Sequence, residues 1–205
     1  MNNFFVNLLY FWLPFVISFL ALILAILRNL YKNSRVKFFQ KMTYWKIIGF
    51  FMGFRLIYAL FKTAVQYHIW EQAGGLSRFL LPPYRPISYF IGYSITHFWL
   101  STLIDILIAA IFYAFLRLLK KYNSRFFEKD EPELGFLTAL IVGWPNVVLI
   151  IPFAFIFVAI LGILRGIFLK EQYTALSWPL IISAFIILFF GSYLINLFHL
   201  KTLVV

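Results

Sequence analysis

Apolar positions in this chain run together for lengths that charge only punctuates. Leu8 to Ile26 and Leu176 to Leu197 carry no charge at all, and Leu134 to Val142 is a shorter run of the same kind. Tyr44 to Gln66 is interrupted by Lys46, Arg55 and Lys62, Ile87 to Leu119 by Asp105 and Arg117, and Val147 to Phe168 by Arg165. A bilayer core takes ~20 apolar residues per helical span, and with no water there only helices or closed barrels cross it. Unbroken runs predict helices, since barrel strands would show ~10-residue alternating segments. Residues 134–142 are too short to cross, and Pro145 stops them. The pattern predicts an all-α polytopic membrane helix bundle of about six crossings, one of them short and Pro-broken. It is read as a single integral membrane domain over 1–205, in which N-terminal helices and an outer loop occupy 1–125 and the remaining helices 126–205.

Between the second and third runs the pattern changes. Tyr67 to Pro86 holds Gly74, Gly75, Pro82, Pro83 and Pro86, which predicts the one substantial outer loop. Val36 to Lys41 is expected as a short interfacial helix that dips Phe38 and Phe39 into lipid. No basic residue precedes the first run, so no cleavable signal peptide is expected.

Composition agrees with this pattern. The 205 residues are 63% hydrophobic and only 12% charged, which excludes an ordinary water-soluble domain. The net charge of +11 alone would suit a nucleic-acid partner, but its basic residues sit in clusters beside the spans. Thirteen of the eighteen Lys and Arg fall in three connections, around Arg28–Lys46, Arg117–Lys129 and Arg165–Lys170. By the positive-inside rule these are cytoplasmic, which predicts a multi-pass protein of the cell membrane with both termini outside the cytoplasm. The expected partner is the lipid bilayer, and no nucleic acid. The absence of cysteine excludes disulfides, thiolate catalysis and Cys-ligated metal, and no cofactor is expected.

The candidate chemistry is carboxylate and cation. Arg55 and Asp105 fall inside spans, where ionisable groups are costly unless paired or facing a cavity. Counted from the basic ends of their helices they lie at similar depth, so they are expected to form an ion pair tying the second and third helices, with a proton or substrate pathway as the alternative. Glu128, Asp130, Glu131 and Glu133 crowd the mouth of the short run. Acidic residues suit a helix N-terminus, so a solvated cap is the simple reading, and without a nearby histidine no metal site is expected. Lys62 is expected to snorkel outward, His97 to bond across helices, and Gly143, Gly162 and Gly166 to mark close helix contacts.

The Leu134-Gly135-Phe136-Leu137 step, the Gly143-Trp144-Pro145 turn and the two runs that follow resemble the C-terminal half of the type IV prepilin peptidases, the membrane aspartyl proteases with a GxGD motif. The resemblance covers 126–191, roughly a third of the chain. It implies a membrane helix fold in which two aspartates share a proton and activate water for peptide hydrolysis. It places the motif's aspartate at Glu131, its glycine at Asp130 and its lysine at Glu133. The family's proline-rich step before the last helix survives as Trp178-Pro179. The second catalytic aspartate has no counterpart, because Asp105 and Asp130 are the only aspartates in the chain. On these residues the chain reads as a non-catalytic member of this fold, aiding pilin or envelope assembly with a pilin-like or other membrane protein as partner. Two alternatives stay open: a small-solute or lipid transporter component, though no internal repeat marks one, and a divergent active peptidase using Glu131.

Overall fold

The computed structural model describes residues 12–32, 41–72, 77–122, 128–168 and 175–203, and the secondary structure among them is entirely helical. Six helices form the bundle: α1 Leu13–Tyr31, α2 Tyr44–Gln72, α3 Ile87–Tyr122, α4 Glu131–Val142, α5 Val147–Phe168 and α6 Ser177–Leu197. Five are long and apolar enough to cross a membrane, α4 being the exception. At 12 residues α4 rises about 18 Å, little more than half of a hydrocarbon core. The chain is thus a multi-pass membrane helix bundle built around one half-length helix.

The end of α2 and one turn inside α3 differ from expectation. α2 continues through His68, Trp70 and Glu71 to Gln72, into what the sequence suggested was loop. No glycine or proline lies between Gly53 and Gly74, so nothing stops the helix earlier, and Trp70 gains a buried position beside Leu81 and Phe90. The π-helical turn Ile95–Trp99 within α3 was not foreseen. There His97 turns back to the Tyr93 carbonyl, 2.9 Å away, instead of reaching another helix. The bond between helices comes from Trp99, whose Nε1 donates to the Thr63 hydroxyl of α2 at 3.3 Å. The expected start of the first span at Leu8 and the interfacial helix at 36–41 fall largely outside the described residues.

α4 is apolar on every side, and a helix of that kind has to be enclosed. It packs against α1, α2, α3, α5 and α6, and every residue of it except Glu133 is buried. Inside a bilayer such packing rests on close van der Waals contact, which small residues permit. Gly135 is the closest approach: a Cβ there would run into Leu116 and lie 3.3 Å from Phe112, both on α3. By contrast a Cβ on Gly166 would meet nothing within 4 Å, so Gly166 makes no close helix contact within the described bundle.

The helix directions follow from cross-links. Ser177 at the start of α6 lies against Glu131 at the start of α4. A Cβ on Gly191 would press on the Asn146 side chain just past the end of α4. α6 therefore runs parallel to α4, and α5 returns in the opposite sense. Phe15 and Phe19 of α1 pack edge-on against Phe189 of α6 at 5.4 and 5.8 Å, closing that side.

Because Gly135 holds α3 against α4, Gly135→Val is predicted to destabilise the bundle by about 1–3 kcal/mol, the usual cost of overpacking. Gly166→Val, on an open face, should be close to neutral. Thermal unfolding of both variants in the same detergent checks this; equal midpoints would contradict it.

Candidate functional site

The break after α4 is the first place where chemistry gathers. Gly143 takes φ +69°, a conformation that favours glycine, and turns the chain out of the helix. Its neighbours also leave no room for a side chain, since a Cβ would sit 3.1 Å from Asp105 Oδ1 and 3.3 Å from Arg55 Nη2. The turn would leave the Trp144 N–H without a helical acceptor. Asp105 Oδ1 accepts it, while Asp105 Oδ2 accepts from Arg55 Nη1. The Arg55–Asp105 ion pair thus joins α2 to α3, and through Asp105 to the broken backbone between α4 and α5. Both side chains are largely buried, at 19% and 13% exposure.

A cavity of about 300 Å³ opens beside this pair, between α1, α2 and α3. Arg55, Tyr58 and Lys62 from α2 line it, with Ser101, Thr102 and Asp105 from α3. The Lys62 ammonium lies over the Tyr58 ring, 4.5 Å from its centroid.

The acidic mouth forms the other end of α4. Glu131 is 1% exposed, so the solvated-cap reading does not hold for it. Its Oε1 accepts from the Ser177 N–H at 3.0 Å and from the Ser177 hydroxyl at 3.2 Å, and its Oε2 accepts from the Glu128 N–H at 2.8 Å. Burial pushes the Glu131 carboxyl above its ordinary value, while these donors from Glu128 and Ser177 pull it back. Asp130 accepts from Arg28 Nη2 at 3.1 Å, and Arg28 also lies over the Tyr44 ring. Glu128 pairs with Lys32, and Lys120 donates to the Glu128 carbonyl at 2.9 Å. Glu133 Oε2 is buried without a hydrogen-bond partner among the described residues. The mouth therefore fastens the ends of α1 and α3 to the starts of α4 and α6.

The two acidic sites stay apart. Glu131 and Asp105 grip opposite ends of α4, about 18 Å of helical rise from each other. Among the described residues no second carboxylate is hydrogen-bonded to Glu131, and no group of three or more His, Cys, Asp or Glu could hold a metal ion. Sequence reasoning named every acid here but missed Ser177 and the Trp144 N–H. A helix broken at membrane depth must find an acceptor for its freed donors, and the lone acid of α3 was the available signal.

No family model matches the chain, and neither a curated protein nor a solved structure does.

Removing one member of a buried pair strands the other, so Arg55→Met and Asp105→Asn are each predicted to cost about 3–5 kcal/mol. The double variant Arg55→Met/Asp105→Asn should cost less than the sum, because no lone charge remains and an asparagine in that place can still accept from the Trp144 N–H. Unfolding free energies from a double-mutant cycle decide it, and strict additivity would count against the coupling.

Proposed function

We propose that the chain is a non-proteolytic membrane bundle of the prepilin-peptidase type, which aids the handling of a pilin-like or other envelope protein within the membrane. The observation that carries this reading is the state of Glu131. The resemblance puts a catalytic acid at this position, where an aspartyl protease needs a second carboxyl group to share a proton and free lone pairs to take one from water. Here both oxygens are held by three donors and, among the described residues, no second acid is bonded to them.

In the native host, Glu131→Gln and Asp105→Asn should leave pilin precursor processing unchanged, while deletion of the whole chain lowers the amount of assembled envelope product. Slower processing in either point variant, at an unchanged amount of folded chain in the membrane, would restore the peptidase reading. Deletion without any effect on assembly would remove the assembly role.

The proposed setting is the cell membrane, with both termini outside the cytoplasm, supported by the thirteen basic residues of the three connections. As the chain has no cysteine, one added after Val205 is a unique reporter. A membrane-impermeant maleimide should label it in intact cells; labelling only after lysis would invert the topology.

A further inference from the structure

The cavity between α1, α2 and α3 has a charge balance that the rest of the bundle does not explain. Arg55 and Lys62 bring two positive charges to its wall, and Asp105 brings one negative charge. The described residues that line it therefore carry a net positive charge. Asp105 is already engaged at both oxygens, one by Arg55 and the other by the Trp144 N–H. Charge at membrane depth is costly, and cavities that carry it are where ions and substrates bind. Lys62 stands two helical turns beyond Arg55 on the same face of α2, so the two cations look into one space from different heights.

The remaining wall suits a particular kind of anion. An arginine has five N–H donors in a planar fork, a shape suited to phosphate or carboxylate oxygens, and Arg55 uses only part of it on Asp105. Ser18 and Ser101 also line the space, and Phe54 and Phe98 give it an apolar side. A volume of about 300 Å³ is small for a whole ligand but ample for a head group whose tail lies along the helices. The π-helical turn adds a second indication. It places Phe98 at the cavity while the following turns bring Ser101, Thr102 and Asp105 to the same wall, and such turns recur at functional sites.

We propose that this cavity binds a phosphate group, with Arg55 and Lys62 as its cationic donors. The inference goes beyond the proposed function and does not depend on it, since it needs neither proteolysis nor a protein partner. The phosphate can belong to an anionic phospholipid of the surrounding bilayer or to a soluble phosphate. The aromatic side of the cavity favours the lipid.

The test uses the full chain in discs of phosphatidylcholine, titrated by calorimetry with short-chain phosphatidylglycerol and, separately, with inorganic phosphate. Phosphatidylglycerol should bind saturably, about tenfold more weakly to Lys62→Gln, the loss expected for one charge-assisted bond. Lys62→Arg should restore binding, which separates a lost cation from a lost fold, and Lys121→Gln at the exposed end of α3 should change nothing. Saturable binding of inorganic phosphate with the same dependence on Lys62 would also uphold the site and assign it to a soluble anion. The proposal is overturned if neither probe saturates or if Lys62→Gln binds both probes like the wild type.

Discussion

The bundle depends on a backbone N–H that a bilayer would otherwise leave stranded. A helix that stops at half depth exposes donors and acceptors where no water can meet them, and each unmet group costs several kcal/mol. Asp105 meets the Trp144 N–H. A lone carboxylate at that depth would itself be strongly destabilising, and Arg55 makes it tolerable. Three helices and a turn thus share one requirement. Without the pair the break at Gly143 has no acceptor, and without the break Asp105 has no reason to sit so deep.

The same logic operates at the other end of α4 with a different donor. The first N–H groups of a helix have no intrahelical acceptor, and Ser177 is the first residue of α6. Glu131 supplies that acceptor from another helix, 46 residues away in the chain. It also holds the Glu128 N–H just ahead of α4. A carboxylate there favours the positive end of the α6 dipole, so its attraction reaches beyond the single hydrogen bond. α4 is consequently fixed at both tips by acids, one its own and one from α3, and its apolar sides need only fill space. This is how a segment of 12 residues can stand at the centre of helices of 19 to 36 residues.

Much of this was legible in the chain, and the features that were not share a cause. Long apolar runs marked the five spans, and a short one ending near Pro145 marked the half-helix. Equal depth from the basic ends brought Arg55 and Asp105 together, because helical rise is fixed and a bilayer penalises lone charge. What stayed hidden were contacts between distant segments at one height. Nothing near Ser177 says that Glu131 will be beside it, and Glu131-Pro132-Glu133 looks like any solvated helix start. Gly135 differs from Gly166 only in what faces it, which a one-dimensional pattern does not carry. The end of α2 was misjudged because Gly74 and Pro82 mark a loop without fixing where it begins; burial of Trp70 set that boundary.

Under the proposed reading, the position of Glu131 also bears on how a protease scaffold survives the loss of its chemistry. A catalytic dyad keeps one carboxyl protonated by placing a second beside it, and that repulsion has to be offset by the fold. Replacing the second acid with N–H and hydroxyl donors removes the repulsion and leaves burial as the main force on the remaining carboxyl. On that reading the remaining acid, Glu131, is an acceptor that fastens two helix starts. Under the proposed reading, such an exchange turns a strained pair into a structural clasp without moving a helix. It also explains why a longer glutamate is tolerated: an acceptor has to reach its donors, whereas a dyad must hold its separation to within about half an ångström.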